Sequence, residues 1–212
     1  MKVLRVYPAL LIGAGFLFSA LVYNRLPSEM PLHWTWDGEV DRYGSRFAGA
    51  FLMPAIALGL WILMTVLPKV DPRYANYQKF TGTYHLVVYG IITMMMVLHV
   101  LILGSVLGWP ISIQRVVPAV VGVLLVITGN VLPRARSNWW FGVRTPWTLS
   151  NERVWAKTHR VAGYLMTLAG VAMLLSAAFP SKVMSGLAIG AAVLAAVGSI
   201  IYSYLIWRKE PR

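Results

Sequence analysis

The stretch VMSGLAIGAAVLAAVGSIIYSYLIW, Val183 to Trp207, decides the fold class. It holds no Asp, Glu, Lys or Arg, follows Lys182, and stops against Arg208 and Lys209. About 20 mostly apolar residues cross a bilayer core as a helix, the single-segment element that satisfies its own backbone there. Reading outward from it, five further runs have the same character: Val6–Tyr23, Phe47–Leu67, Gly82–Leu103, Val116–Leu132 and Val161–Phe179. The expected fold is therefore all-α, a polytopic membrane protein of six transmembrane helices with no room left for a separate soluble domain.

Composition agrees. Of 212 residues, 58% are hydrophobic and 12% charged, where a soluble domain carries about 25% charge. Lys plus Arg is 19 against 7 for Asp plus Glu, a net charge of +12. The basic residues stand between uncharged runs instead of forming one basic face, which fits membrane-flanking charge and not direct nucleic-acid binding. The absence of cysteine removes disulfides, thiolate metal sites and a cysteine nucleophile. The first run is too long for a signal-peptide core and no A-x-A-like site follows, so it is expected to be retained.

The run ends look like membrane interfaces. Tyr23, Trp61, Trp109 and Trp207 fall near them, and Pro27, Pro68, Pro110, Pro133 and Pro180 follow five of the runs. Pro8, Pro54 and Pro118 lie near span starts, where none need kink a helix centre. Fourteen basic residues lie in the N-terminus, second loop, fourth loop and C-terminus, against Arg25, Arg42, Arg46, Arg115 and Lys182 in the others. Positive residues favour the cytoplasmic side, so both termini are expected there. Within the last run, Gly186, Gly190 and Gly198 share one stripe and Ala188, Ala192 and Ala196 another, either packing inside the bundle or forming a dimer seam. The oligomeric state stays open. Met94–Met96 reads as filler at helix contacts.

Two loops carry more than membrane anchoring requires. In the outer loop, His33, Asp37 and Asp41 are spaced by four and would share a helix face as a metal or proton site, although Asp37-Gly38 signals a turn. The competing reading is an acidic loop, with Glu39, tethered by Trp34 and Trp36. On the cytoplasmic side, residues 134–160 hold Asn138, Gly142, Arg144, Thr145, Pro146, Trp147, Glu152, Trp155, His159 and Arg160, shortly after Asn130. Ser150 or Thr148 is expected to cap a helix with Glu152 in its first turn. Arg153, Lys157 and Arg160 then form a basic stripe, and Glu152, Trp155 and His159 a second face. Lipid anchoring explains the charges and rings, but not the Gly142, Pro146 and Asn138 punctuation, which specifies a loop shape. Arg144 is expected to pair in a bidentate manner with Glu152 or a headgroup phosphate.

The stretch from Gly129-Asn130 through Asn138, FGVRTPWTLSNE (141–152), Trp155, Thr158-His159-Arg160 and Gly163 resembles the signature of the SdpI family, bacterial immunity proteins against a sporulation-delaying toxin. The outer loop, Leu26-Pro27 through His33-Trp34 to Asp41-Arg42-Tyr43-Gly44, is similar to the domain of unknown function that often precedes it, with Thr35 where that motif usually shows Asn. The resemblance implies two units: residues 1–68, two helices with the outer loop, and residues 69–212, four helices with the motif loop. It implies a non-enzymatic, multi-pass protein of the bacterial plasma membrane whose partners are the lipid bilayer, a secreted membrane-active peptide toxin, and a cytoplasmic transcriptional repressor held when toxin is bound. On that reading, His33, Trp34, Trp36, Asp37, Glu39 and Asp41 face toxin, and the motif residues from Asn130 to Arg160 dock the partner.

The rival classes are a metal-dependent membrane enzyme and a small-molecule or ion transporter. No H-E-x-x-H, G-x-S-x-G or P-loop occurs, and no catalytic, cofactor or metal residues are assigned. The spans carry no formal charge and no matched pair of interrupted segments. His85 and His99 read as structural, with a cytoplasmic cluster of His85, His159 and Glu152 as a further option.

Overall fold

The computed structural model describes residues 2–35 and 38–210. Every expected span falls, to within one residue, in a long helix: α1 (Lys2–Val22), α2 (Arg46–Val70), α4 (Thr81–Val106), α5 (Ile113–Val131), α7 (Glu152–Ala178) and α8 (Lys182–Lys209). Two short helices, α3 (Tyr74–Tyr77) and α6 (Pro146–Ser150), two 3-10 turns (Tyr23–Arg25 and Leu132–Arg134) and one antiparallel hairpin of β1 (Glu29–Trp34) and β2 (Val40–Ser45) complete the described elements. Six of the helices are long and apolar enough to cross a membrane. An even number of crossings puts the two ends of the chain on one side, and the hairpin lies at the opposite end of the bundle.

The hairpin replaces the helix face considered for His33, Asp37 and Asp41. Gly38 N–H donates to the Thr35 carbonyl at 2.9 Å and Thr35 N–H to that of Glu39 at 2.8 Å, closing the turn that the Asp37-Gly38 pair signalled. A register shift between Pro31 and Trp34 then brings His33 beside Asp41 across the strands. Trp36 and Asp37 lie outside the described residues.

Helix ends differ from expectation where local bonding extends them. The fifth helix begins at Glu152 instead of Val161, because the Asn151 side chain, not Ser150 or Thr148, accepts the Arg153 and Val154 N–H groups. α2 runs through Pro68 to Val70, so Trp61 lies well inside the helix, partly buried against the clusters that hold Tyr84 and Ile92. Pro54 lies inside α2 and cannot donate to the Ala50 carbonyl one turn earlier. Ser19 of α1 fills that place, donating to Ala50 O at 2.6 Å, and His99 Nε2 of α4 lies 2.7 Å from the same hydroxyl. One proline thus creates the acceptor through which Ser19, bonded in turn to His99, ties three helices together.

The closest helix pair is α5 with α7. A Cβ at Gly122 would lie 2.8 Å from Gly170 O, and one at Gly129 2.6 Å from Gly163 O, each relation being reciprocal. Small residues seven apart on both helices let the backbones meet, where dispersion replaces the missing hydrophobic drive. The α8 stripe behaves otherwise. A Cβ at Gly186 or Gly190 would meet nothing within 4 Å, and the face packed on α7 carries Ala188, Ala195, Ser199 and Ser203. Those two glycines face out of the bundle and do not pack inside it. Met96 fills the α1–α4 contact against Gly15, as filler does.

Candidate functional site

At the end carrying both termini, the chain between α5 and α7 folds back over the bundle. Leu132–Arg134 makes one 3-10 turn, and Asn138 then organises the loop. Its Oδ1 accepts from Trp140 N–H at 2.9 Å, Phe141 N–H at 2.6 Å and the Tyr77 hydroxyl at 3.0 Å. Its Nδ2 donates to the carbonyls of Arg136 and Phe141. The side chain is fully buried, so the amide stands in for the backbone partners a helix or strand would supply.

Asp71 is the second centre. One oxygen accepts from Arg73 N–H at 2.7 Å, the other from Trp139 N–H at 2.8 Å and Tyr77 OH at 3.0 Å. Arg73 reaches Ser137 Oγ and the Leu149 carbonyl, and Asn76 donates to Ser137 O. Burial, reinforced by the Asp71 bond and charge, pushes the Tyr77 phenol above its ordinary value. The sequence reading missed Asp71, Arg73 and Tyr77. The available signal was an acid placed against a span end in an otherwise basic loop.

His159 closes the loop from α7. Nε2 accepts Val143 N–H at 3.0 Å and Nδ1 lies 2.8 Å from the Trp155 carbonyl, so the ring is the neutral Nδ1–H tautomer. It stacks on Trp155 at 4.0 Å, whose Nε1 donates to Ala135 O. Gly142, at φ +98°, lies flat over His159. With both ring nitrogens so engaged, His159 is not held by a cluster with His85 and Glu152. His85 stacks on Tyr89 instead, and Glu152 is exposed.

The Thr145 hydroxyl caps α6 in a reciprocal pair with Thr148 and meets Ser203 Oγ of α8 at 3.0 Å, while Pro146 starts the helix. Trp147 packs on Tyr204. Arg144 donates to Trp139 O at 3.2 Å, and of its two expected partners, Glu152 or a headgroup phosphate, Glu152 is not paired with it. Asn130 bonds its own helix at Val126 O, outside this network. Among the described residues, Thr158 alone leaves a fully buried side-chain oxygen unpaired. The expected basic stripe forms: Arg153, Lys157 and Arg160 are exposed, with Lys157 paired to Glu210 at 2.6 Å. The outward surface of this end is thus basic and aromatic, with Trp139 and Trp140 exposed above a bonded platform.

At the other end, the hairpin roofs a cleft of about 540 Å³ between the starts of α5 and α8 and the end of α7. Its walls are chiefly apolar, with Leu32, Val117, Val121, Met173 and Ile189, and His33, Trp34 and Lys182 stand among its lining. His33 Nδ1 and Asp41 Oδ1 are 2.6 Å apart and exposed. Glu39 contributes its backbone carbonyl to the turn. No group of three metal-ligating side chains occurs among the described residues.

Residues 134–203 match the SdpI/YfhL protein family, and residues 10–58 match a domain of unknown function (DUF1648). Over 203 residues the chain is 26% identical to "Immunity protein SdpI" of Bacillus subtilis (strain 168), covering 94% of each chain. No solved structure matches. The resemblance read from the motif stretch is therefore shown, and the chain is a multi-pass bacterial membrane protein.

Proposed function

We propose that this protein is a membrane immunity protein that shields its cell from a secreted membrane-active peptide without chemical turnover, and that it meets the peptide at the hairpin end, facing outward. The observation that carries this reading is the apolar cleft under the hairpin, which is open to the amphipathic class of ligand that such a peptide represents. The charge-based orientation puts that cleft outside. Attraction by an acidic loop contributes less than composition implied. Asp41 is paired with His33, and Arg25, Arg42 and Arg46 border the same hairpin. Apolar burial, not opposite charge, then supplies the affinity.

The motif loop has the form of a docking platform: its polar groups are used internally, and Trp139, Trp140, Arg153 and Arg160 are presented outward. Capture of a transcriptional repressor there belongs to the same reading, with toxin and repressor sites coupled through the helices between them.

The test is expression in a toxin-sensitive bacterium, following survival and intact toxin together. Survival with toxin left intact is expected. Ser185→Trp, which fills the cleft, should abolish most protection at an unchanged membrane level. No protection by the parent chain would reject immunity, and loss of intact toxin in step with survival would point to an enzyme. Full protection by Ser185→Trp would move the peptide site out of the cleft.

A further inference from the structure

A second cleft, of about 410 Å³, opens between the start of α4 and the end of α5, and neither the motif network nor the hairpin uses it. We propose that it binds the phosphate of an anionic phospholipid headgroup.

Its position is the first argument. The spans Thr81–Val106 and Ile113–Arg134 both end at this level, which is where headgroups lie. Its chemistry is the second. α4 is 26 residues long, and its cap residue, Phe80, supplies no side-chain hydrogen bond, so the first N–H groups of the helix face the cleft at the positive end of the dipole. A Cβ at Gly82 would meet nothing within 4 Å, leaving those amides open to a ligand oxygen.

Thr83 gives an independent sign of a ligand. It lines the cleft, is only 8% exposed, and its hydroxyl has no hydrogen-bond partner among the described residues. Thr158 holds the one fully buried unpaired side-chain oxygen among the described residues, so the Thr83 hydroxyl keeps some exposure, and it lies at the cleft beside the first amides of α4.

Two cations complete the set. Lys79 and Arg134 line the cleft, both exposed, and neither makes an ion pair among the described residues. The acids at this end are used elsewhere or lie apart: Asp71 holds Tyr77 and Trp139, Glu210 holds Lys157, and Glu152 starts α7. A phosphate would receive charge-assisted bonds from Lys79, Arg134, the Thr83 hydroxyl and the helix amides.

A lipid is favoured over free phosphate because the cleft is apolar toward the membrane. Leu86, one turn below Gly82, lines it and is 46% exposed, so an acyl chain can run down α4 from a seated headgroup.

Native mass spectrometry of the full chain in detergent, with phosphatidylglycerol or phosphatidylcholine of equal chain length, tests this. One phosphatidylglycerol should be retained more tightly than phosphatidylcholine. Lys79→Gln with Arg134→Gln should weaken retention by roughly tenfold or more. Lys69→Gln with Lys209→Gln, an equal loss of charge at the same end, should leave it unchanged. Thr83→Val keeps the shape and should weaken retention severalfold with an unaltered melting temperature, which covers a double charge variant that folds poorly. Inorganic phosphate at millimolar concentration should not displace the lipid. Equal losses from both charge pairs, unchanged retention in Thr83→Val, or displacement by phosphate would each overturn the proposal.

Discussion

At Gly142 two demands coincide: a left-handed backbone and room for the His159 ring. An alanine would cost about 1–2 kcal/mol through its backbone alone and would also push the ring off Val143 N–H. Gly142→Ala should therefore lower the melting temperature in detergent and expose residues 138–145 to protease, whereas an unchanged protease pattern would mean that the loop is held without that contact. Tyr77 gives a pH signature. Its phenol is raised by burial and by Asp71, so its neutral form contributes stability that is fully present below about pH 10 and is lost as pH climbs toward the higher folded value. Melting curves from pH 8 to 11 should fall at the alkaline end, and Tyr77→Phe should flatten part of that fall. An identical alkaline decline in both proteins would sink the assignment. At this scale the sequence showed Asn138, Gly142 and Pro146 as shape-setting residues, because amide, left-handed glycine and proline each restrict local geometry. Asp71 was not legible, since the Trp139 N–H that it accepts lies 68 positions on and nothing local announces the pairing.

The spans themselves were legible because lack of charge over a bilayer thickness is a property of a single stretch. Packing was not, because it depends on which faces meet. The densest small-residue stripe, in α8, leaves Gly186 and Gly190 open, whereas the sparser glycines of α5 and α7 lock together. Gly129→Val should accordingly cost about 1–3 kcal/mol by overpacking and lower folded yield, while Gly186→Val leaves the monomer's melting temperature almost unchanged. Equal tolerance at both sites would contradict the α5–α7 contact. The Ser19–Pro54 relation makes a sharper claim about α2. Ser19→Ala should destabilise by between about 0.6 and 1.7 kcal/mol. In a Pro54→Ala background the regained N–H can bond Ala50 O itself, so much of that penalty should vanish in a double-mutant cycle. Strict additivity would show that Ser19 does not substitute for the missing helix bond. The hairpin falls between the two cases: Asp37-Gly38 correctly marked a turn, but spacing by four fits a helix face and a strand equally, and only the cross-strand register brings His33 to Asp41.

Orientation is a property of the whole molecule, since it comes from the sum of charges at each end and not from any one loop. At the motif end the basic residues face Asp71, Glu152 and Glu210 alone, and two of these acids are engaged, Asp71 in hydrogen bonds and Glu210 with Lys157. The surplus positive charge there would have to cross the membrane if the protein were inverted, which is what the positive-inside bias opposes. At the hairpin end five basic residues stand against Glu29, Asp37, Glu39 and Asp41, so little net charge is moved. The chain is free of cysteine, so single thiols can report on each end. Ser28, just before β1, is exposed. Ser137 would be a poor reporter on the other side because it is buried and bonded to Arg73, whereas Ser150, at the end of α6, is exposed. Ser28→Cys should react with a membrane-impermeant maleimide on intact cells, and Ser150→Cys only after permeabilisation. Labelling of position 150 but not 28 on intact cells would invert the molecule, move the cleft to the cytoplasm, and with it remove the basis for an outward-facing peptide site.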